Sequence, residues 1–281
     1  MLIFEDINPI KTHLLTVKCK RQSIGFVPTM GALHLGHISL IKASKAQCDI
    51  TVCSIYVNPT QFNNESDLVN YPKVLDKDIE FLKNEGCDIL FVPSDGVMYQ
   101  QKPGLFLNFG RLENIMEGNF REGHFNGVGL IVAKLLNIIQ PTNAYFGQKD
   151  LQQFLIIKQL VKDFSFDVNL YCMPIVREPD GLAMSSRNLR LSIEDRKDAI
   201  GLYGALKKAQ AFLLEYKNVP RAKEIIKRML ADNEVIKLEY FEILDSNTLN
   251  QVVNLDEHQQ VSLFIAGYLG EIRLIDNIYL H

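Results

Sequence analysis

Short apolar runs alternate with helix-like segments over the first two thirds of the chain. The runs are rich in β-branched residues and end at turn-forming residues, which is typical of strands buried on both faces of a sheet. They cover residues 24–27, 50–57, 87–93, 143–147 and 168–176. Amphipathic helices are predicted from about residue 37, over 76–85, over 128–139 and from residue 150. This alternation predicts an α/β fold with a doubly wound parallel sheet.

The pattern changes in the last third of the chain. A long amphipathic helix is predicted to start at Ser192, which together with Asp195 resembles a capping box. The predicted helices cover residues 193–216 and 220–231, and the predicted strands cover 237–245, 261–270 and 271–280. The last two strands meet at Gly270, as in a hairpin. We therefore expect a second, smaller α+β domain, with the chain divided into 1–176 and 177–281.

Composition and charge narrow the class of protein. The chain has 281 residues, of which 47% are hydrophobic and 22% charged, and its formal net charge is −3 at pH 7. These values are typical of a soluble globular protein. The net negative charge does not indicate a nucleic-acid-binding protein, which usually carries excess positive charge. No apolar run approaches the ~18 residues of a membrane helix, and the acidic N-terminus does not resemble a signal peptide. We expect no nucleic-acid partner and no membrane partner.

The five cysteines indicate the compartment. Their number is odd, no two form a CxxC pair, and no secretion signal precedes them, so free thiols in a reducing environment are expected. Cys53 and Cys87 lie in apolar runs, where cysteine acts as a small hydrophobic residue. We therefore expect a cytoplasmic protein without a catalytic cysteine.

Residues 24–41 read IGFVPTMGALHLGHISLI and combine an apolar run, a glycine-containing turn and the start of a helix. This geometry presents backbone N–H groups and the positive end of a helix dipole to an anion. His34 and His37 share one face if the helix begins early. Two imidazole donors there can stabilise charge that develops at phosphorus. The alternative interpretation is that both histidines are hydrogen-bonded residues of an ordinary loop.

Further polar candidates follow two other predicted strands. Gln61 lies just beyond the carboxyl end of a strand, where open α/β sheets bind ligands. The alternative is a loop glutamine that caps nearby backbone groups. Lys149, Asp150 and Gln153 lie within about one helical turn, so they can face one pocket, with Asp150 as the helix N-cap. No clustered set of histidine, cysteine and carboxylate residues indicates structural zinc.

Several motifs resemble those of one enzyme family. PTMGALHLGH, residues 28–37, resembles the nucleotide-binding signature of the pantothenate synthetases, a form of the HxGH motif of nucleotidylyltransferases and class I aminoacyl-tRNA synthetases. SIYVNPTQF, EGNFREGHFNGV, FGQKDLQQ and VREPDGLAMSSRN follow in the family's order, and the terminal GEIRLIDN is similar as well. The resemblance covers most of the chain, which is thereby identified as a member of this family.

The resemblance implies an ATP-dependent ligation in two steps. The carboxylate of pantoate attacks the α-phosphorus of ATP, which gives pantoyl adenylate and pyrophosphate. The amine of β-alanine then displaces AMP and gives pantothenate. Mg²⁺ is expected with the ATP phosphates rather than in a protein cage, and Asp150 is a candidate contact for either the metal or the ribose. The resemblance also implies a homodimer, a Rossmann-like ATP- and pantoate-binding domain over 1–176, and a smaller lid domain over 177–281.

Site residues are carried over from the family position by position. His37, together with His34, matches the catalytic position, and we interpret it as a stabiliser of the transition state because a carboxylate nucleophile has no proton to lose. Gln61 and Gln153 match the glutamines that bind pantoate and β-alanine, since an amide can donate to a carboxylate and accept from a hydroxyl. The positions that match the ATP site are Met30, Gly31, Ala32, Leu33, His34, Leu35, Gly36, His37, Gly147, Gln148, Lys149, Asp150, Val176, Met184, Ser185, Ser186 and Arg187. The last of these belong to MSSRN, which resembles a KMSKS-type loop that grips the outer phosphates.

Three features depart from the family pattern. Gln148 stands where glutamate is usual, so a negative charge is lost beside Lys149. Glu122 replaces the commoner proline in REGHF, and His124 in the same segment is expected to be structural. The irregular segment 94–107, expected to be a flap over the site, is also short for the family.

Two rival functions stay open at this point. A nucleotidylyltransferase would release its adenylylated product, and it would need neither the two glutamines nor the second domain. AMP release in the presence of β-alanine separates that possibility from a ligase. A synthetase-like RNA-binding or regulatory module is the other rival, but it fits poorly with the acidic balance and the two histidines. Tight, salt-sensitive RNA binding without ATP turnover would favour it.

Overall fold

The computed structural model describes residues 1–231, 233 and 235–280, and it divides into two compact units. The first unit comprises Met1–Gln148 and Gln152–Pro174. The second comprises Lys149–Leu151 and Ile175–His281. The functional domains expected from the sequence, over 1–176 and 177–281, stay a prediction.

A six-stranded sheet with parallel pairing forms the centre of the first unit. Its strands are β1 (Leu2–Phe4), β2 (Ile24–Thr29), β3 (Ile50–Ile55), β4 (Ile89–Phe91), β5 (Asn143–Gly147) and β6 (Asn169–Met173). They lie in the order β1-β4-β3-β2-β5-β6. The chain adds strands on one side of β2 first and then, from β5 onward, on its other side, so the strand order reverses between β2 and β5. Open α/β sheets bind ligands at the carboxyl ends of their strands beside such a reversal.

Helices cover both faces of this sheet. They are α1 (Ile7–Cys19), α2 (Leu35–Gln47), α3 (Glu65–Val69), α4 (Leu75–Asn84), α5 (Asp95–Met98), α6 (Glu117–Phe120), α7 (His124–Ile139) and α8 (Leu151–Asp163). Phe26 and Val52 belong to one buried cluster, whereas Val27 and Cys53 belong to another. Successive side chains of a strand point to opposite faces, so the sheet has a core on each side. The predicted doubly wound parallel sheet is confirmed.

The first nineteen residues contain two elements that the sequence analysis does not predict, β1 and α1. The strand β1 has only three residues and pairs with β4 alone, at an edge of the sheet. Leu2 and Ile3 are 50% and 43% exposed, so no buried apolar run marks this strand. In α1, the buried residues Ile10, Leu14 and Val17 recur at helical spacing and pack onto the sheet.

The second unit combines helices with an antiparallel sheet of order β7-β8-β9. Its elements are α9 (Ile193–Asp198), α10 (Ile200–Tyr216), α11 (Val219–Ala231), β7 (Ile236–Asp245), β8 (Val261–Leu269) and β9 (Ile272–Tyr279). The predicted hairpin joins β8 to β9 through Gly270, whose φ of +54° suits glycine. One buried cluster contains residues of α10, α11, β7, β8 and β9, which confirms a smaller α+β unit.

The predicted single helix from Ser192 to Tyr216 is interrupted at Ala199. Ser192 does cap its start, because the Ser192 hydroxyl accepts from the Asp195 N–H at 3.0 Å. At Ala199 the hydrogen-bond pattern tightens, since the Leu202 N–H donates to the Ala199 carbonyl at 3.2 Å. Such three-residue spacing separates α9 from α10 without reversing the chain.

The cysteines are all free thiols in the described structure, but they differ in burial. Cys19 is exposed, whereas Cys53 and Cys87 are buried. Burial raises the pKa of the Cys53 thiol and raises that of Cys87 to about 11. Because the thiolate is the reactive form, both should be almost unreactive at pH 8.

We expect iodoacetamide to modify Cys19 first in the native protein and to reach Cys53 and Cys87 only after denaturation, as measured by peptide mass spectrometry. Rapid native modification of Cys53 would contradict this.

Among the described helices, none combines the length and the apolar character needed to cross a membrane.

Candidate active site

The loop after β2 places the histidines at the carboxyl edge of the sheet, beside the reversal in strand order. The helix α2 begins at Leu35, two residues earlier than the start near His37 predicted from the pattern. His34 is its N-cap, in an extended conformation with φ of −139°. Histidine is not among the favoured N-cap residues, so little in the local pattern marks this start. The early start brings the His34 and His37 rings onto one face, with their centres 4.0 Å apart.

Hydrogen bonds to the backbone define which nitrogen of each imidazole carries the proton. The Gly36 N–H donates to His34 Nδ1 at 3.1 Å, and the His34 N–H donates to His37 Nδ1 at 3.3 Å. A nitrogen that accepts a hydrogen bond carries no proton, so the proton of each neutral ring lies on Nε2. Both side chains therefore act as hydrogen-bond donors through Nε2.

Two backbone N–H groups of the same loop, expected to be presented to a bound anion, instead bind an anionic side chain of the protein itself. The N–H groups of Ala32 and Leu33 donate to the two oxygens of Asp78, at 2.8 and 2.7 Å. Asp78 lies on α4 and is only 3% exposed. Sequence reasoning missed this residue. Its signal was a carboxylate four residues before Leu82, on the buried face of an amphipathic helix.

Gln61 lies beside this loop, in a 3₁₀ turn over Pro59–Gln61 that follows β3. Its amide Nε2 lies 3.1 Å from the sulfur of Met30, so the structure brings two of the predicted site residues together. The Gln61 carbonyl accepts from the His124 ring at 2.8 Å, and His124 is only 4% exposed. His124 thus has the structural role predicted for it.

Asn58 determines how the Gln61 amide is oriented. Its Nδ2 is 3.2 Å from the Gly127 carbonyl, which can only accept, and 3.0 Å from Gln61 Oε1. The nitrogen of Asn58 must face both of these oxygens, so the Gln61 amide turns its own nitrogen away from Asn58. The hydroxyls of Tyr99 and Thr60 donate to Asn58 Oδ1, each at 3.0 Å. Asn58 was missed because only the folded structure shows these partners.

The helix α7 approaches the Gln61 turn very closely at Gly127. A Cβ at this position would lie 2.2 Å from the Thr60 carbonyl oxygen and 2.7 Å from the Gln61 nitrogen. Only glycine fits at such a distance from another backbone. Gly127 and His124 together therefore fix the position of the Gln61 turn.

Two further candidates follow β5. Gly147 ends the strand, and open space surrounds the position where a Cβ would stand, so its role is not steric. Gln148, which is 7% exposed, begins a 3₁₀ turn over Gln148–Asp150. On α8, Gln153 is half-buried, whereas its neighbour Gln152 is buried and donates to the carbonyls of residues 112 and 115.

In the second unit, the guanidinium of Arg177 is the centre of a polar network. It pairs with the Asp276 carboxylate at 2.6 and 2.9 Å and donates to the carbonyls of Gly181 and Asn277. The central guanidinium carbon, Cζ, of Arg177 lies 4.0 Å from the centre of the Tyr203 ring. Burial raises the pKa of the Asp276 carboxyl, and the Arg177 guanidinium opposes that rise.

This network orders backbone that carries predicted ATP-site residues. The Met184 N–H donates to the Val176 carbonyl at 3.0 Å, so both ends of the Arg177 segment are paired. The amide of Asn277 donates to the carbonyl of Lys149 at 2.9 Å. β9, through Asp276 and Asn277, thus holds two separate segments in place within one unit.

The remaining candidates of the second unit have local partners. The ammonium of Lys149 lies 3.3 Å from the Asp150 carboxylate. The Ser185 hydroxyl accepts from the Arg187 N–H at 3.3 Å and caps a 3₁₀ helix over Ser186–Arg190. Ser186 is 6% exposed. Among the residues that the structure describes, no group of three or more His, Cys, Asp and Glu residues is arranged to hold a metal ion.

Comparison with known proteins identifies the family. A family model described as pantoate-beta-alanine ligase matches residues 2–279. The pantothenate synthetase of Cytophaga hutchinsonii is 43% identical over 279 residues, which cover 99% of each chain. The crystal structure of pantothenate synthetase from Thermus thermophilus aligns with a TM-score of 0.94 and 35% identity, covering 100% of both chains.

A second solved structure is described with ligands. It is pantoate-beta-alanine ligase from Francisella tularensis, complexed with beta-gamma ATP and beta-alanine. It aligns with a TM-score of 0.84 and 39% identity over 100% of this chain and 98% of that one. With family, fold and length all in agreement, the chain belongs to the pantoate-beta-alanine ligase family of enzymes.

Proposed function

We propose that the protein joins pantoate to β-alanine through a pantoyl-adenylate intermediate, with ATP as the second substrate. A carboxylate oxygen of pantoate bonds to the α-phosphorus of ATP, and the bond from that phosphorus to the pyrophosphate oxygen breaks. The amine nitrogen of β-alanine then bonds to the acyl carbon, AMP leaves with the former carboxylate oxygen, and the nitrogen loses a proton. The products are pantothenate, AMP and pyrophosphate.

The observation that carries this proposal is the pair of imidazoles at the head of α2, whose Nδ1 atoms accept from backbone N–H groups and leave Nε2 as the donor. Neutral donors held at a helix N-terminus suit charge that develops on phosphate oxygens. The family match over residues 2–279 and the Francisella tularensis relative described with ATP and β-alanine support the same substrates.

His34 and His37 are proposed to hold the phosphate oxygens and to stabilise the transition state of the first step. The carboxylate nucleophile has no proton to lose, so a general base is not needed at that step. Met30, Gly31, Ala32, Leu33, Leu35 and Gly36 are proposed to line the nucleotide site around them. Ala32 and Leu33 would do so through groups other than their N–H, because both N–H groups bind Asp78.

Gln61 is proposed to bind pantoate as a donor. Asn58 holds Gln61 Oε1, so the group offered to a ligand is the NH₂, which pairs with a carboxylate or hydroxyl oxygen. Gln153 is proposed as the second glutamine for pantoate and β-alanine. A site committed to such bonds rejects substrates that lack the matching oxygen.

The segments Gly147–Asp150, Val176 and Met184–Arg187 are proposed as further ATP-binding positions, as the resemblance implies. Lys149 and Arg187 bring positive charge that suits phosphates, Arg187 through its planar fork. The family's reaction implies Mg²⁺, which would neutralise phosphate charge when bound. The donor set fits a loosely held ion, because Asp150 is one half-exposed carboxylate and the ATP phosphates would supply further oxygens. A homodimer and a lid role for residues 177–281 are proposed from the resemblance alone, and a cytoplasmic location is proposed from the pattern of cysteines.

The product test uses purified protein with ATP, Mg²⁺, pantoate and β-alanine, and it omits each component in turn. AMP and a mass corresponding to pantothenate are expected only in the complete mixture. An adenylylated product that accumulates in the presence of β-alanine would instead indicate a nucleotidylyltransferase.

Gly127→Ala tests the role of the Gln61 turn. The added methyl would collide with the Thr60 carbonyl, so the turn must move. A displacement of about 1 Å in a positioning element costs on the order of 100-fold, so kcat/KM for pantoate should fall by about that factor. Gly204→Ala is the matched control, because Gly204 lies on α10 with open space around it. Equal kcat/KM values for pantoate in the two variants would contradict the assigned role.

A further inference from the structure

Asp78 is a buried carboxylate that neither the sequence pattern nor the proposed substrates explain. It lies on α4, one turn before the fully buried Leu82, and is itself only 3% exposed. Burial raises the pKa of the Asp78 carboxyl, and the N–H groups of Leu33 and Ala32 oppose that rise. A buried carboxylate needs such partners to remain charged.

Both oxygens of Asp78 are committed to the histidine loop. Oδ2 accepts from the Ala32 N–H at 2.8 Å, and Oδ1 accepts from the Leu33 N–H at 2.7 Å. The next residue after Leu33 is His34. Two charge-assisted hydrogen bonds accepted by one side chain fix both the position and the direction of the backbone just before the imidazole pair.

The backbone conformation of the loop fits this attachment. Gly31 and Ala32 both have positive φ, +83° and +48°, which turns consecutive N–H groups toward α4. A Cβ on Gly31 would lie 3.1 Å from Asp78 Oδ2. Ala32 adopts a left-handed conformation that non-glycine residues seldom hold, and such a conformation persists only where the surroundings maintain it.

A cavity lies on one side of the loop. A mainly apolar cavity of about 460 Å³ is lined by Met30, Gly31 and Ala32, together with Asp78 and residues that follow β3 and β4. Gly31 and Ala32 are themselves buried, so packing and the two hydrogen bonds to Asp78 together restrain this part of the loop.

We infer that Asp78 is a positioning residue for the first half-reaction. Through the backbone of Ala32 and Leu33, it fixes the positions of the Nε2 atoms of His34 and His37. The inference rests on the proposed function. Asp78 touches no substrate in this role, and its effect reaches the phosphates only through the loop.

The test compares Asp78→Asn with Asp76→Asn. Asp78→Asn keeps the size of the side chain. Its NH₂ group would face one of the two loop N–H groups, so that hydrogen bond is lost and two donors oppose each other. We expect pantoate-dependent exchange of pyrophosphate into ATP to fall by about 30- to 100-fold, the cost of a misplaced catalytic group. Asp76 is an exposed carboxylate in the same helical turn, and its variant should stay within about twofold of the wild type.

The second half-reaction separates positioning from general damage. Chemically prepared pantoyl adenylate and β-alanine are supplied, and AMP release is followed. This step makes no new bond at phosphorus, so Asp78→Asn should retain a rate within about threefold of the wild type if only the imidazoles are misplaced. Asp78→Glu keeps both acceptors and has the cavity to enter, so it should recover part of the exchange rate.

Amide hydrogen exchange at Ala32 and Leu33 tests the attachment without reference to activity. Both amides should be protected in the wild type and should exchange much faster in Asp78→Asn alone. A wild type that makes no pantothenate would overturn the proposed function, and the exchange data would still decide the attachment. Unchanged protection, equal losses in both half-reactions, or normal pyrophosphate exchange in Asp78→Asn would overturn the inference.

Discussion

His37→Asn is expected to lower pantoate-dependent pyrophosphate exchange by about 100- to 1,000-fold, the range seen when one preorganised donor to a developing charge is removed. The asparagine oxygen can replace Nδ1 as the acceptor for the His34 N–H, which lies 3.3 Å from the ring nitrogen. The Nε2 donor is lost. The variant thus removes the proposed catalytic contact while it preserves the cap of α2.

The controls for this prediction use other side chains at the same and at a remote position. His37→Gln extends an amide toward the position of Nε2 and should recover part of the rate. His13→Asn changes a half-buried histidine of α1 whose ring contacts Phe4, and its rate should match the wild type. Normal exchange in His37→Asn would remove the role assigned to His37.

Asp276→Ala is expected to destabilise the second unit by about 3–5 kcal/mol, the usual cost of leaving a buried charge without its partner. Arg177 would lose two hydrogen bonds of 2.6 and 2.9 Å while it remains held against Tyr203. Urea titration followed by far-UV circular dichroism measures the change, and amide exchange of β9 locates it.

A surface ion pair in the same unit provides the control for Asp276. The side chains of Lys217 and Asp256 are 62% and 68% exposed, and their atoms lie 2.7 Å apart. Exposed pairs contribute little, so Asp256→Ala should leave the urea midpoint unchanged. The double variant Arg177→Met with Asp276→Leu should recover most of the stability, because no charge is left unpaired. A midpoint in Asp276→Ala equal to that of Asp256→Ala would contradict the assigned network.

The strands of the central sheet could be predicted because each is a continuous apolar run. β2 and β3 are buried on both faces, so composition alone marks them. β1 could not be predicted in the same way, since its three residues lie at an edge and two of them are exposed. The break at Ala199 could not be predicted either. A change of hydrogen-bond spacing from four residues to three leaves the period of the apolar residues almost intact.

The candidate site shows a similar division. Motif resemblance selected His34, His37 and Gln61, and the structure explains how each is oriented. Asp78 and Asn58 were missed because their roles depend on contacts with residues far along the chain. Asp78 bonds to a residue 46 positions away, and Asn58 bonds to one 69 positions away. Side-chain partners of this kind follow from the packing of α4 and α7 rather than from any local pattern.

Oxygen labelling distinguishes activation of pantoate as an acyl adenylate from other routes to the amide. Pantoate labelled with ¹⁸O in its carboxylate is incubated with ATP, Mg²⁺, β-alanine and the protein, and the AMP is analysed by mass spectrometry. If the carboxylate oxygen bonds to the α-phosphorus and stays there when the amine displaces AMP, one ¹⁸O must appear in each AMP formed. Unlabelled AMP, or ADP formed together with labelled phosphate, would show that no pantoyl adenylate forms on the way to the product.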